Sequence, residues 1–231
     1  MSDTDSTVRI NKFLALHTGI SRREADDAVA RGRVLIGGAT AEMGSRVAPG
    51  DTVTLDGQVV SVKASYTYLM LNKPVDYICS RRRQGDTPTI YELLPEQYRD
   101  LKPVGRLDKE SSGLLLLTDD GDFAHRMTHP SFHKTKTYEV TISKDLEPLH
   151  RQMISDIGVT LEDGVSKLQL ERLIEGDEKH WIVRMHEGRN RQIRRTFGGL
   201  GYAVKALHRT HFGNYSLGDI QSGSFVLTSI Q

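Results

Sequence analysis

The sequence predicts an α+β protein in which a small N-terminal domain precedes a larger domain built on a mixed sheet. Its 231 residues are enough for two domains of unequal size. Near the N-terminus, apolar residues recur twice at helical spacing and are followed by short strand signals. Further along, strand and helix signals lack the regular alternation of a doubly wound parallel sheet, which favours a mixed sheet.

Two short helices begin the small domain. Their apolar positions follow helical spacing, with Ile10, Phe13 and Leu14 in the first helix and Ala25, Ala28 and Val29 in the second. Gly19 can end the first helix, and Gly32 is well placed to stop the second. Ser21 and Glu24 fit a capping box, because the serine hydroxyl can accept from an amide of the first turn while the glutamate reaches back to the serine amide.

A small sheet follows these helices. Residues 33–36 predict a strand that Gly37-Gly38 closes, and two further apolar stretches flank Asp56-Gly57, a pair typical of a tight hairpin turn. A polar stretch then separates this domain from the rest of the chain. We therefore predict a flexible tail, a small domain, a linker and a large domain, at residues 1–7, 8–62, 63–66 and 67–231.

The large domain is predicted from continuous apolar runs and one alternating segment. Residues 68–71 and 114–117 are apolar throughout, as buried strands are. Residues 136–142 alternate instead, as a half-buried strand does, with Tyr138, Val140 and Ile142 on one face. Asn190 can cap a helix that ends at Gly201 and whose apolar side carries Ile193, Phe197 and Leu200.

Charge is unevenly distributed along the chain. The formal net charge is only +1, but residues 181–210 contain seven Lys or Arg residues against a single acid, Glu187, and Arg81-Arg82-Arg83 forms a second basic cluster. A polyanion responds to the local field, so a nearly neutral protein with such clusters can bind nucleic acid. For either cluster alone, a solvated charged face is the commoner explanation.

Composition also excludes several kinds of site. The single cysteine, Cys79, leaves neither an internal disulfide nor a multi-cysteine zinc site. His125 and His129 have a spacing suited to a metal but no evident third ligand, so we expect no metal. The N-terminus lacks the features of a signal peptide and no apolar run reaches membrane-spanning length, so we expect a cytoplasmic protein without membrane association.

A longer motif occupies residues 104–121 and reads Val-Gly-Arg-Leu-Asp-Lys-Glu-Ser-Ser-Gly-Leu-Leu-Leu-Leu-Thr-Asp-Asp-Gly. Three shorter motifs accompany it: Leu-Asn-Lys-Pro at 71–74, Lys-Thr-Tyr at 136–138 and Glu-Gly-Arg-Asn-Arg-Gln-Ile-Arg-Arg at 187–195. In their order along the chain, the four motifs resemble the signature of the RsuA-type ribosomal RNA pseudouridine synthases. Residues 8–62 resemble the S4 RNA-binding domain that commonly precedes that catalytic domain. The resemblance implies a mixed, largely antiparallel catalytic sheet with flanking helices.

The resemblance also implies a reaction, the isomerisation of uridine to pseudouridine in ribosomal RNA. The bond from uracil N1 to ribose C1′ breaks, and the base turns over and rejoins through C5. Because no group is added and nothing is oxidised, we expect neither a cofactor nor a metal. The reaction does require an ionised carboxylate beside C1′, and Asp108 matches the family's catalytic aspartate. It can attack the sugar as a nucleophile or remove a ribose proton as a base, and both routes remain open.

The family places an arginine of the Gln-Ile-Arg segment beside this aspartate, and the matching residue is Arg194. A guanidinium there would keep the carboxylate ionised inside a closed pocket. Helical geometry supports the same residue, because Arg194 lies at the border of the apolar seam of its predicted helix. On the same helix, Arg191 and Arg195 are expected to point more nearly away, toward RNA phosphates.

The target nucleotide must leave its stack, and an aromatic face is the natural clamp for the flipped base. Tyr138 matches the family's tyrosine, and Arg106 can help to hold the strand apart. The other predicted RNA contacts are basic side chains that would meet the phosphate backbone: Arg9, Lys12, Arg22, Arg23, Arg31 and Arg33 in the small domain, and Arg189, Arg191 and Arg195 in the large one.

Two other functions compete with this one, since an aspartate or tyrosine taken alone is more often structural. A non-catalytic RNA-binding ribosome-assembly protein would have no need to keep Asp108, Tyr138 and Arg194 together. A methyltransferase would need a glycine-rich turn after a strand, which neither Val104-Gly105 nor Gly198-Gly199 forms. We therefore expect a monomeric isomerase acting on ribosomal RNA, free or in an assembling subunit. The motifs do not distinguish the small from the large subunit.

Overall fold

The computed structural model describes residues 7–230, so most of the predicted tail, residues 1–6, lies outside the described part of the chain. The chain divides into two compact units. The small unit runs to Tyr66 and includes Asp119–Gly121, and the large unit contains Thr67–Thr118 and the chain from Asp122 onward.

Two helices and two small antiparallel sheets make up the small unit. In chain order its elements are β1 (Val8–Arg9), α1 (Ile10–His17), α2 (Arg22–Ala30), β2 (Val34–Ile36), β3 (Ala39–Thr40), β4 (Arg46–Val47), β5 (Val53–Leu55) and β6 (Gln58–Val59). The order β3-β2-β5-β6 forms one sheet, and β1 pairs with β4. The predicted two helices and small sheet are confirmed.

Local chemistry fixes the ends of these elements. The Ser21 hydroxyl accepts from the Glu24 amide at 3.2 Å while the Glu24 carboxylate accepts from the Ser21 amide at 2.6 Å, which confirms the capping box. Gly32 ends α2 with a positive φ of 68°, a conformation that glycine adopts without steric cost. Asp56 and Gly57 also have positive φ and form the predicted hairpin turn. The core beneath contains Ile10, Leu14, Ala25, Ala28, Val29, Val34, Ala41, Val47 and Val53.

The large unit is built mainly of strands. These are β7 (Tyr68–Lys73), β8 (Lys102–Pro103), β9 (Ser112–Thr118), β10 (Lys136–Ile142), β11 (Val159–Leu161), β12 (Gly164–Ser166), β13 (Gln169–Arg172), β14 (His180–Met185), β15 (Val204–Phe212), β16 (Tyr215–Ser216) and β17 (Phe225–Thr228). The α-helices along this part of the chain are α3 (Gly121–Thr128), α4 (Pro148–Gln152) and α5 (Gln192–Gly198). No helix within residues 7–230 combines the length and the apolar character needed to cross a membrane.

One mixed sheet organises the large unit. Its strands follow the order β13-β14-β10-β15-β9-β7-β17, with β8 added to β9 and β16 to β15. Neighbouring strands are antiparallel except for β15 and β9, which are parallel. This arrangement confirms the predicted mixed, largely antiparallel sheet.

Burial along the strands agrees with their sequence patterns. In β9, Leu115 and Leu117 belong to the core on one face of the sheet, and Leu114 and Leu116 belong to the core on the other. Because β9 is covered on both faces, its run of four leucines is continuous. The strand β10 is buried at alternate residues, so Lys136, Tyr138, Val140 and Ile142 share its inward face.

The helix α5 differs at both ends from the helix predicted after Asn190. It begins at Gln192, after Arg191 in a left-handed conformation with φ of 47°, so the predicted cap at Asn190 is wrong. The Gln192 side-chain oxygen accepts from the Arg189 amide at 3.2 Å, so a residue inside the helix closes the turn before it. The helix also stops at Gly198 rather than running to Gly201.

Candidate active site

A cavity of about 460 Å³ opens in the large unit. One wall is the turn between β8 and β9, which carries Asp108. Another is the segment that leads into α5, with Arg191. The neighbouring strands β10, β14 and β15 complete the lining, and they contribute Tyr138 from β10. The sheet therefore brings together residues that lie far apart in the sequence.

The turn that carries Asp108 is fastened on both sides. The Ser111 amide donates to the Asp108 carbonyl at 3.1 Å, and the Asp76 amide donates to the Lys109 carbonyl at 2.8 Å. Leu107, next to Asp108, is buried in the core. The Asp108 side chain is 33% exposed and lines the cavity. Its carboxylate is therefore accessible, while hydrogen bonds fix the backbone of the turn.

The ion-pair partner that the structure gives Asp108 is Arg191. Its Nη1 lies 3.7 Å from the Asp108 carboxylate and donates to the Glu110 carboxylate at 2.9 Å. This hydrogen bond lowers the pKa of the Glu110 carboxyl. The prediction that Arg191 points away is therefore wrong, because it assumed helical geometry at a residue that precedes the helix.

Arg194 reaches inward, as its position at the border of the apolar seam predicted, but it binds two main-chain carbonyls and a serine hydroxyl rather than the Asp108 carboxylate. Its Nη2 donates to the Glu110 carbonyl at 2.9 Å and to the Ser111 hydroxyl at 3.3 Å, and its Nη1 donates to the Val204 carbonyl at 2.9 Å. Burial, followed by the charge of Arg191, lowers the pKa of the Arg194 guanidinium. Arg194 thus ties the turn after Asp108 to the first residue of β15.

Tyr138 lies on the buried face of β10 and is 8% exposed. Its ring lines the cavity, and its hydroxyl makes no hydrogen bond with another residue of the 7–230 stretch. A flat, half-apolar wall therefore stands in the same cavity as the Asp108 carboxylate. Such a pair suits a planar ring joined to a reactive carbon.

Two further cations line the same cavity, and neither was assigned a role from the sequence. They are Lys136 on β10 and Arg209 on β15. The sequence contained a signal for Lys136, because strand alternation places it on the same buried face as Tyr138, where a lysine is unusual. For Arg209 no local signal exists, since its position depends on the pairing of β15 with β10.

Other arginines predicted to contact RNA have partners within the large unit. Arg189 and Arg195 both pair with Asp163, at 3.0 and 2.7 Å. Arg106 lines the cavity and is exposed. Of the three, Arg106 is therefore the one whose charge is available without breaking an ion pair, and the RNA contacts of all three stay predictions.

The small unit holds the remaining predicted contacts at its surface. Arg9, Arg22 and Arg23 are exposed, while Lys12 is partly buried. Arg31 pairs with Asp27 at 3.1 Å, and Arg33 forms a two-pronged hydrogen bond with Asp56. Their contact with RNA is likewise a prediction that the structure does not test.

Cys79, His125 and His129 are not among the residues that line the cavity. Within residues 7–230 no group of three or more His, Cys, Asp or Glu side chains could hold a metal ion. The rings of His125 and His129 lie 4.8 Å apart and contact Phe132. The Cys79 thiol donates to the Leu107 carbonyl at 3.4 Å, and burial raises its pKa.

Sequence families match both units. The family described as RNA pseudouridylate synthase matches residues 67–198, and the S4 domain family matches residues 8–53. The ribosomal small subunit pseudouridine synthase A of Pasteurella multocida (strain Pm70) is 35% identical over 92% of this chain and 91% of its own length. An uncharacterized RNA pseudouridine synthase of Mycobacterium leprae (strain TN) is 36% identical over 94% of this chain and 87% of its own.

A solved structure is also similar. A crystal structure of a pseudouridylate synthase superposes with a TM-score of 0.68 at 31% sequence identity. The match covers 96% of each chain, so it extends over the small and the large unit alike.

Proposed function

This chain belongs to the RNA pseudouridylate synthase family, an isomerase family that acts on RNA, and from that premise we propose that it converts one uridine of ribosomal RNA to pseudouridine. The observation that carries the proposal is the shared cavity of Asp108 and Tyr138, in which a carboxylate and an aromatic wall can face one nucleotide. The S4 domain supplies a second RNA-binding element.

In the proposed reaction the target nucleotide leaves its stack and enters the cavity, whose volume lies within the ~300–1,000 Å³ range of small-molecule sites. The uracil ring stacks on Tyr138. The Asp108 carboxylate then acts at the ribose, either as a nucleophile at C1′ or as the base that removes a proton from C2′. In both routes the bond from C1′ to N1 breaks, and C5 of the turned base forms the new bond to C1′. C5 then loses its proton and N1 gains one. In the second route Asp108 also returns the proton to C2′.

The two arginines near Asp108 have different proposed roles. Arg191, whose Nη1 lies 3.7 Å from the carboxylate, holds it in position through an ion pair. Arg194, which binds the main chain beyond Asp108, is a positioning residue that keeps the turn in place as RNA enters. The geometry supports both roles because Arg191 contacts the Asp108 carboxylate, whereas Arg194 binds the carbonyls of Glu110 and Val204 and the Ser111 hydroxyl.

The substrate we propose is ribosomal RNA, and the small-subunit RNA is the first to test. Two relatives with names that specify the small subunit, from Pasteurella multocida and Haemophilus influenzae, are 35% and 32% identical to this chain over more than nine-tenths of its length. Basic side chains of both units would contact the RNA backbone and orient it.

Replacing Asp108 tests the reaction. Ribosomal RNA transcripts are incubated with the purified chain without any added cofactor, and pseudouridine is quantified by nucleoside mass spectrometry. We expect one pseudouridine per RNA with the wild type and a rate loss on the order of 10³-fold or more with Asp108→Asn, because a group that acts in the bond-breaking step is removed. Asp219→Asn, which changes an exposed aspartate of the same unit, is the matched control and should keep full activity.

The same assay separates the competing function. A wild-type chain that binds ribosomal RNA, free or assembled with ribosomal proteins, and forms no pseudouridine would support the non-catalytic assembly protein instead. An Asp108→Asn variant that is as active as the wild type would leave the isomerase in place but would remove Asp108 from its mechanism.

A further inference from the structure

Two buried cations lie in the lining of the cavity, on adjacent strands. Lys136 of β10 is 9% exposed, and Arg209 of β15 is 2% exposed. Both charges lie over the ring of Phe212, at 5.2 and 4.9 Å from its centroid. We call Lys136 and Arg209 the cationic floor.

The partners of the cationic floor are neutral. Lys136 Nζ donates to the carbonyls of His186 and Glu187 at 3.3 and 3.4 Å. Arg209 Nε donates to the Leu114 carbonyl at 2.8 Å, whereas its Nη2 is buried and has no hydrogen-bond partner in the part of the chain that the structure describes. Neither cation forms an ion pair with a carboxylate of residues 7–230.

The glutamate that lines the same cavity, Glu187, is already engaged. The Glu187 carboxylate accepts hydrogen bonds from Arg189, at 3.3 Å, and from Gln192. Its charge is therefore shared with a third cation rather than dedicated to Lys136. The cavity lining thus holds more positive than negative charge where it is most buried.

Such an arrangement is costly for folding. An unpaired buried charge loses its hydration, and an unsatisfied buried donor adds a further penalty. The two like charges also oppose each other, since burial first and the charge of Arg209 second lower the pKa of Lys136. An acceptor with negative charge that enters the cavity would supply the partner that the folded chain lacks.

We propose that the cationic floor stabilises the uracil anion that forms when the glycosidic bond breaks. This inference rests on the proposed isomerase function. As Asp108 bonds to C1′ or takes the C2′ proton, the bonding pair between C1′ and N1 leaves with the base. The resulting negative charge spreads over N1, O2 and O4, and two fixed positive charges in a site shielded from water favour it most strongly at that moment. When C5 bonds to C1′, the negative charge leaves the base and returns to the Asp108 carboxylate. C5 then loses its proton and N1 gains one, so the product is an isomer of uridine.

The location favours the base over a backbone phosphate as the occupant. The same cavity is also lined by the flat or apolar side chains of Tyr138, Phe212, Ile193 and Leu207, which suit a nucleobase. A phosphate is strongly hydrated and is linked to the RNA chain on both sides, so it would stay near the exposed rim. The cationic floor therefore acts on the chemical step rather than on RNA affinity.

Charge-removing and charge-keeping variants of Lys136 test this. Single-turnover rates at saturating RNA and dissociation constants are measured with ribosomal RNA transcripts. We expect Lys136→Met to lower the rate about 100-fold, the size of the loss of one preorganised charge-stabilising group, while the RNA dissociation constant changes less than about twofold. Lys136→Arg should recover most of the rate. Lys205→Gln, on an exposed residue of β15, is the control and should match the wild type.

A second measurement keeps the test valid if a variant folds poorly. Transcripts made with 5-fluorouridine carry a base whose anion is intrinsically more stable, so they depend less on the cationic floor. The ratio of target consumption on uridine RNA to that on 5-fluorouridine RNA does not depend on the fraction of folded protein. This ratio should fall at least several-fold in Lys136→Met and in Arg209→Met, and recover in Lys136→Arg and Arg209→Lys.

The outcomes separate the two proposals. An active wild type together with a Lys136→Met variant of unchanged rate and unchanged ratio would overturn the role of the cationic floor and leave the isomerase intact. A loss confined to RNA affinity would overturn it too, in favour of phosphate binding. A wild type that forms no pseudouridine at all would instead refute the proposed function.

Discussion

The two units of this protein use positive charge in opposite ways. In the small unit Arg22 and Arg23 are exposed at the start of α2, with no ion pair or hydrogen bond to another residue between 7 and 230. In the large unit Lys73, Lys136 and Arg209 are buried and donate to backbone carbonyls. The sequence alone does not reveal which of these cations are exposed and which are buried.

The difference matters because solvent decides what a charge can do. An exposed cation is screened by salt and contributes mainly to the affinity and orientation of a polyanion. A buried cation is screened little and is fixed in direction, so it can act on charge that develops during a reaction. RNA affinity is therefore expected to depend on the small unit, and the rate of the chemical step on the large one.

Separating the strands β9 and β15 where Gly113 lies against the backbone of Arg209 should have the largest effect on stability. A Cβ at Gly113, whose φ is 102°, would lie 2.3 Å from the carbonyl oxygen of Arg209 in the parallel partner strand. We expect Gly113→Ala to lower the free energy of unfolding of the large unit by about 4 kcal/mol or more, because backbone must shift against backbone. Urea denaturation followed by the fluorescence of Trp181, the single tryptophan and a core residue of this unit, measures it.

The control for Gly113 is Gly218→Ala. Gly218 also has a positive φ, of 55°, but an added Cβ would meet nothing within 4 Å. Its replacement should cost only about 1 kcal/mol, the strain of the left-handed conformation alone. Equal losses at the two glycines would mean that the strands β9 and β15 can separate freely, and that Arg209 is less firmly held than its contacts indicate.

Charge burial in the large unit should also appear in the pH dependence of its stability. Lys73 donates to the carbonyls of Pro74 and Ser111, at 2.9 and 2.7 Å, and burial lowers its pKa from 10.5 to about 8. Between these values the unfolded chain binds a proton at Lys73 that the folded chain has lost. The free energy of unfolding contributed by this group therefore rises with pH across that window.

Lys73→Met removes this contribution. The wild type should gain stability relative to the variant as pH increases from about 8 toward 10.5, with a slope of at most one proton. Denaturation of both proteins at several pH values, again followed by Trp181, gives the difference directly. Lys102→Met, at an exposed residue of β8, is the control and should show no such slope. A wild-type slope that Lys73→Met leaves unchanged would show that another group titrates there.

These contrasts also explain what the sequence could predict. The capping box of Ser21 and Glu24 and the turn at Asp56-Gly57 depend on residues within three positions of one another, so pattern alone located them. The buried face of β10 followed from alternation over seven residues. Asp108 and Tyr138 could be singled out by their resemblance to a known family, although their roles remain proposals.

The parts that the sequence did not predict depend on long-range pairing. Arg209 comes to lie beside Tyr138 through the β10–β15 pairing, and a register irregularity occurs at the same place. Asp163 captures Arg189 and Arg195 from a hairpin about 30 residues earlier in the chain, which no local pattern indicates. Arg191 does not follow helical periodicity because it is itself the left-handed residue that precedes the helix. Which charged side chains are buried, and which residues they contact, could therefore be learned only from the folded structure.

The smallest expected effect concerns the exposed charges of the small unit. We expect the double variant Arg22→Gln/Arg23→Gln to weaken binding to ribosomal RNA transcripts about tenfold at low salt and to reduce the dependence of log affinity on log salt concentration by about one to two, because up to two phosphate contacts are lost. The single-turnover rate at saturating RNA should stay unchanged. Affinities measured over a series of salt concentrations provide both quantities.

The matched control removes the same number of charges elsewhere. Arg172→Gln/Arg184→Gln changes two arginines of the large unit that already pair with Glu178 and Glu171, so it should alter the salt dependence less. If both double variants weaken binding equally, RNA responds to net charge rather than to unpaired cations. If instead Arg22→Gln/Arg23→Gln slows the chemical step at saturating RNA, exposed charge also governs the reaction. Exposed cations would then not be limited to RNA affinity, nor buried cations alone responsible for the chemical step.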